Sequence, residues 1–375
     1  MKKLGYLIGA ALLTLGSCTN EINEEGFVDK ANTISFNAYS NKTRAYENGD
    51  VDIAKMKEGS FGVVGYTSDN NLYLGSTNKA IEQSWNSTSN SWVYATPSDL
   101  KYWPANSMDF YAYFPYSAQG DVFAQSDASG NVMTITNESG NQDVLFARQA
   151  NQSQTAYVPL RFNHAFSKIK AINIKVATVD VSVTVQKVEV LNTSTKGKVF
   201  VDNTGNASYE ATQPNEIRSF DLSSSPKTIN YGTDGVELFG NEANGYLFAT
   251  NSSVQHYVEG TGKTFWNGNK ADLNGGNLST SDFVCLKLTC KVVAADHYLV
   301  GGNDQYGEMY IPMHGTSANS ADISELLAGR RYTYNIIMQS NVGYKDNGDP
   351  LMLAPIRFSV NEVTDWNDVT VTITL

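Results

Sequence analysis

The stretch that decides the fold is Asn32-Thr33-Ile34-Ser35-Phe36-Asn37-Ala38-Tyr39-Ser40-Asn41-Lys42-Thr43-Arg44-Ala45. Ile34, Phe36 and Ala38 alternate with Ser35, Asn37 and Tyr39, the period-two pattern of a half-buried strand over 33–39. The pattern ends at Lys42-Thr43-Arg44-Ala45. The polar run Tyr46-Glu47-Asn48-Gly49-Asp50 follows and reads as exposed chain, the kind of segment where proteases act.

Upstream, residues 21–30 form an acidic tether. Before it, Lys2 and Lys3 head an apolar run from Leu4 to Leu15. A run of about a dozen residues fits the hydrophobic region of a signal peptide and falls short of the ~20 that span a bilayer. Leu15-Gly16-Ser17-Cys18 then reads as a lipobox, with Cys18 lipidated to become the mature N-terminus. The chain thus begins with a signal peptide over 1–17, then a tether and first strand over 18–44. The plainest reading of this set is a surface lipoprotein whose first strand belongs to its own sheet.

Downstream, short alternating runs recur to the C-terminus. Phe61 to Tyr66, Trp85 with Ser91-Trp92-Val93-Tyr94, and Val132 to Thr136 read as strands. Met108 to Phe114 is apolar or aromatic on both faces, as a central sandwich strand is. A polar linker at 151–155 suggests a first domain over 45–152, with strand 33–39 added in the precursor, and a second over 153–375. In Val158-Pro159-Leu160-Arg161-Phe162-Asn163-His164-Ala165-Phe166 the even positions share a face, and the break near Ser167 and Lys168 reads as a bulge or bend. Asp322 to Ala328 reads as one short helix. Strands in both halves with almost no helix between them make an all-β fold of two tandem β-sandwiches rather than a βαβ fold.

Composition narrows the function. The 375 residues carry a net charge of -11 with only 27 Lys and Arg, which argues against nucleic acid as a partner. Cys285 and Cys290 sit on one strand, on opposite faces and about 16 Å apart, too far for a disulfide. Glu259-Gly260-Thr261-Gly262-Lys263-Thr264 ends like a phosphate loop but has Tyr257 where the motif needs Gly. His164, His256, His297 and His314 lack metal-ligand spacing, and Asp346-Asn347-Gly348-Asp349 reads as a turn. No catalytic, metal or cofactor set emerges, and the chain does not read as an enzyme. The aromatics between Tyr102 and Tyr116 read as half-buried strand residues, with stacking on sugars as the other reading.

Several motifs, in order, carry a resemblance: the lipobox at Cys18, Ile34-Ser35-Phe36 before Thr43-Arg44-Ala45, and Tyr102-Trp103-Pro104 before Phe110-Tyr111-Ala112-Tyr113. The run from Val158 to Ile169, then Gly329-Arg330-Arg331-Tyr332-Thr333-Tyr334 and Thr364-Asp365-Trp366, completes them. Together they resemble the fimbrillin family, the pilins of type V pili of Gram-negative gut and oral anaerobes. The resemblance covers nearly the whole chain. It implies two transthyretin-like β-sandwich domains in tandem, and a precursor carried to the outer membrane by lipid (palmitate among it) on Cys18. It further implies that an arginine-specific protease cuts between Arg44 and Ala45. The cut releases the groove-filling strand of Ile34, Phe36 and Ala38, and a neighbouring pilin subunit fills the groove with a donor strand. The clean alternation of Val369, Val371, Ile373 and Leu375 makes the last segment the candidate donor; an ordinary last strand of the second sandwich is the other reading. At the level of function, an adhesive fimbrial subunit stands beside a non-polymerising surface lipoprotein that binds glycans or host ligands. A secreted hydrolase is the third and weakest reading.

Overall fold

In the computed structural model the described residues are 32–40, 51–116, 120–122, 130–137, 142–193, 196–211, 216–239, 246–248, 285–313, 328–339, 344–345, 357–363 and 368–374. Cys18, Arg44, Ala45 and Leu375 lie outside them. So do residues 322–327 of the expected helix, the stretch 259–264, His256, His314 and the turn at 346–349.

In chain order the elements begin with strand β1 (Phe36–Ser40), helix α1 (Ile53–Met56), β2 (Ser60–Thr67), β3 (Leu72–Leu74), β4 (Ile81–Asn86) and β5 (Ser91–Tyr94). Next come β6 (Met108–Phe114), β7 (Gly120–Val122), β8 (Asn131–Asn137), β9 (Leu145–Gln152), β10 (Val158–His164), β11 (Ser167–Val176) and β12 (Val181–Thr193). Then follow β13 (Gly197–Asp202), β14 (Ala207–Ala211), β15 (Glu216–Asp221), β16 (Lys227–Asn230), β17 (Val236–Phe239) and β18 (Tyr246–Phe248). The chain closes with β19 (Cys285–Ala294), β20 (His297–Val300), β21 (Gly307–Pro312), β22 (Arg331–Met338), β23 (Tyr344–Lys345), β24 (Arg357–Val363) and β25 (Asp368–Thr374). The fold is all-β, as the alternation predicts.

Four sheets form. The first is 8-stranded, ordered β1-β10-β9-β6-β2-β4-β5 with β3 on β2; a 4-stranded sheet runs β14-β13-β8-β7. A 6-stranded sheet runs β17-β11-β22-β25-β24 with β18 also on β11, and a 7-stranded one runs β15-β12-β19-β21-β23 with β16 on β12 and β20 on β19. The pleat decides which side chains meet. Along β2, Phe61 and Val63 enter one apolar cluster while Val64 and Tyr66 enter another. Phe110 and Ala112 of β6 divide from Tyr111 and Tyr113 in the same way. These two strands are therefore buried on both faces. The second cluster also takes Met133 and Ile135 of β8 and Val199 and Val201 of β13, so it fills the space between the 8- and 4-stranded sheets. A third joins Ile172 and Ile174 of β11 to Val183 and Val185 of β12 and Leu286 and Leu288 of β19, between the other two sheets.

The sheets do not divide at residues 152/153. Strand β10 pairs with β1 and β9, and β13 returns from the second half to pair β8. The break after His164 is a bend at Ala165 and Phe166, where the chain leaves the first sheet for the 6-stranded one; there β11 pairs β22 in parallel, with a register shift between Ile169 and Ala171. The first strand is also shorter than the alternation over 33–39 implies. Thr33 bridges Tyr102, and the Ile34 amide donates to the Lys101 carbonyl (2.9 Å) before β1 begins at Phe36.

Candidate functional site

The seat of β1 is built from residues that alternation alone puts on one face. Ile34, Phe36 and Ala38 are all buried, at 0%, 4% and 3% exposure. The strand runs parallel to β10 in the register Phe36↔Val158, Ala38↔Leu160 and Ser40↔Phe162. Val158, Leu160 and Phe162 are buried, so the two strands present one continuous apolar surface to the core. Phe36 meets three rings edge-on or tilted, with centroids 5.4 Å from Phe110, 6.4 Å from Phe61 and 6.5 Å from Tyr94. Each such pair adds ~0.5–1.5 kcal/mol beyond the ~1.5–3 kcal/mol of burying the side chain. Asn37 and Tyr39 face the other way, and the Asn37 amide donates to the Tyr39 hydroxyl (2.8 Å).

Among the described residues β1 has no strand partner on its far side. The 8-stranded sheet curls until its other edge, β5, lies opposite, and the Tyr94 hydroxyl donates to the Ile34 carbonyl across the gap (2.9 Å). Burial pushes the Tyr94 phenol well above its ordinary range, against a contribution from the Lys101 backbone; it stays a neutral donor. Taking β1 away would uncover Phe61, Phe110, Val158 and Leu160 and leave the outer edge of β10 unpaired. Such an edge templates strand addition.

The candidate donor residues are elsewhere. Strand β25, which carries Val369, Val371 and Ile373, lies in the 6-stranded sheet of the same chain. It pairs in parallel with β22 (Tyr332↔Val369, Ile336↔Ile373) and antiparallel with β24. The two sets of residues are not brought together within one chain, and donation requires β25 to leave its place.

The other singled-out residues take structural positions. Cys285 and Cys290 are free and buried, and burial pushes both thiols up to about 12. Cys290 joins the third cluster and Cys285 does not, in keeping with opposite faces of one strand. His164 Nδ1 lies 2.7 Å from Asp143 Oδ2 where the chain changes sheets. Tyr111 and Tyr113 are buried at 3% and 2%, leaving Tyr102 as an exposed aromatic of its run. Among the described residues no group of three or more His, Cys, Asp and Glu could hold a metal ion, and no helix is long and apolar enough to cross a membrane. The residue that periodicity reasoning passed over is Gln83. It stands in phase with Ile81 and Trp85 in β4, and a polar residue on an inward position was the available signal.

A family model described as fimbrillin-like matches residues 43–349 of the chain. Among solved structures, the chain is similar to a fimbrial protein from Bacteroides vulgatus at 15% identity, covering 92% of this chain and 97% of that one with a TM-score of 0.42. It is also similar to a fimbrilin from Porphyromonas gingivalis at 11% identity, covering 91% and 96%, with a TM-score of 0.43. No curated protein matches it.

Proposed function

Because this chain belongs to the fimbrillin-like family, whose members are non-enzymatic structural proteins, we propose that it is a structural subunit of a type V fimbria serving adhesion. It is exported as an outer-membrane lipoprotein precursor anchored at Cys18. An arginine-specific protease cuts after Arg44, and donor-strand exchange between subunits then builds the fibre at the cell surface. The observation that supports this reading is the seat of β1: an edge strand whose Phe36 and Ala38, with Ile34 just before it, fill an apolar groove. While β1 is seated the groove is full and premature association is suppressed. After the cut it is held by non-covalent contacts alone, and a strand of equal or better complementarity displaces it. The donor segment around Val369, Val371, Ile373 and Leu375 must first detach from β22 and β24.

The test is Arg44→Ala. The variant is expected to stay full-length, labelled by a fatty-acid analogue at Cys18, and monomeric. Trypsin treatment of the wild-type precursor is expected to yield a new N-terminus at Ala45 and ladders that survive SDS. Electron microscopy should show fibres on cells with the wild-type protein and none with the variant. Polymerisation of Arg44→Ala at the wild-type rate would place the switch elsewhere, and failure of the trypsin-cut wild-type protein to polymerise would favour the surface-lipoprotein reading.

A further inference from the structure

Among the described residues seven large apolar side chains are exposed, and six of them fall into two groups, each side chain between 39% and 59% exposed. Tyr39, Tyr102 and Tyr157 surround β1. Val179, Tyr231 and Tyr298 stand at one end of the 7-stranded sheet. Register puts this second three in a row: Ser182 of β12 pairs Asn230, Val181 pairs Ala294, and Val293 of β19 pairs Tyr298. The turns that carry them are fixed. The Ala295 amide donates to the Asp180 carbonyl (3.0 Å), the Ala177 amide to Met338 (2.7 Å) and the Thr233 amide to Asn230 (3.1 Å). Scattered exposed apolar groups need no explanation, but a row of them on a surface already ordered can be buried by a partner with little ordering cost.

Charge divides the two groups. Asp180, Asp234 and Asp296 are exposed in the turns 177–180, 230–235 and 295–296, which hold no Lys or Arg. Around β1 the sign is reversed. Lys101 is exposed next to Tyr102, Arg161 is exposed and paired with Tyr39, and the acidic neighbour Asp99 is half-buried near Tyr94. Both groups are exposed in the single chain, so they do not cover each other, and a contact between them joins two copies. Chain direction agrees. Strand β25 ends at the same end of the second sandwich as Val179, since Thr374 pairs Ile337 and Met338 pairs Val176. A strand freed there that enters tip first beside Tyr157 runs along β10 in the direction of β1. We propose that the end of the second sandwich carrying Val179, Tyr231 and Tyr298 docks on the Tyr102 and Tyr157 surface of a second copy, in a charge-steered contact that sets donor beside groove before strands exchange. This inference rests on the fibre reading and adds a second surface to it. Lys101, Tyr102, Tyr157 and Arg161 lie outside the strand that maturation removes, so the surface outlasts the cut. The contact belongs to the small, transient class below ~1,200 Å², and at ordinary dilution the uncleaved chain stays monomeric.

The experiment is sedimentation velocity of the purified, uncleaved chain over a concentration series, in low and in high salt. A sedimentation coefficient that rises with concentration is expected, and less so in high salt. Tyr231→Ser should raise Kd at least about fivefold, as loss of a central aromatic does. Asp234→Lys and Lys101→Glu should each weaken association several-fold through the rate of encounter, and an equimolar mixture of the two should regain it, because one of its pairings restores opposite charges. All three sites are exposed, so the melting temperature should hold. A chain that stays monomeric throughout the series, unchanged association in Tyr231→Ser, or a mixture no better than either charge variant alone would each overturn the proposal. Association of the uncleaved chain needs no donor strand, so this result stands apart from maturation. Ladders from the trypsin-cut chain without such association would overturn the docking and leave the fibre reading intact.

Discussion

Phe36 sits on an edge strand yet reaches Phe61, Phe110 and Tyr94 at the centre of its cluster. An edge backbone carrying a core side chain makes this residue the anchor of β1. Phe36→Ala is expected to destabilise the uncleaved chain by about 3–5 kcal/mol, the cost of an aromatic deletion in a core that cannot fully collapse; chemical denaturation followed by tryptophan emission measures it. Cys285 and Cys290 illustrate burial acting on chemistry. With thiols held at about 12, both stay protonated at neutral pH, so iodoacetamide should leave them unlabelled until the chain unfolds. Peptide-resolved mass spectrometry reads each site separately. Unfolded thiols ionise near ~8.5. Raising the pH from there towards 12 therefore favours the unfolded chain, and below ~8.5 the contribution is fully present. The midpoint of denaturation should fall across that window, and less steeply in a variant with both residues replaced by Val.

At the scale of elements, β1 is tied to the molecule unevenly. One side pairs with β10 over five residues, Phe36 to Ser40. The other has the Tyr94–Ile34 hydrogen bond. Tyr94→Phe keeps the ring against Phe36 and removes the donor, at a cost of about 1 kcal/mol. Amides of residues 36–40 are expected to exchange roughly fivefold faster in that variant, with those of β2 and β6 unchanged, as hydrogen-exchange mass spectrometry can resolve. Strand identity was legible in the sequence because the pleat forces alternation: Ile34, Phe36 and Ala38, the two-faced run of β6, and the hairpin that sets Trp85 beside Trp92 all follow from it. Partner choice was not legible. Alternation states that Val199 and Val201 are buried, and says nothing of whether their strand pairs locally or with β8, some sixty residues earlier. Strand β10 was assigned to the second half for the same reason. The seat of β1 was readable from its own residues, whereas the cleft beside it arises from sheet curl and from β5, which no local pattern encodes.

At the scale of the molecule, these returns interleave the two halves. The first cluster needs Val158, Leu160 and Phe162, and the second needs Val199, Val201 and Tyr209. A fragment of residues 45–152 lacks all six and leaves β8 and β9 with open edges. It is expected to show no cooperative thermal transition by circular dichroism and to aggregate, while the whole chain melts cooperatively. A sharp transition in the fragment would mean that its core closes without β10 and β13.

The parallel pairing of β1 with β10 has one more consequence. A strand that takes the place of β1 and keeps the same residues over the same pockets has to run in the same direction, because the parallel and antiparallel hydrogen-bond patterns differ. Under the proposed maturation, each contact then joins two different surfaces, a groove on one copy and a strand on the next. Such contacts continue as an open filament wherever the rotation between copies does not close a ring. The assembled fibre would have polarity, with an unfilled groove at one end and an unspent strand at the other, and subunits would join each end by a different half of the same reaction.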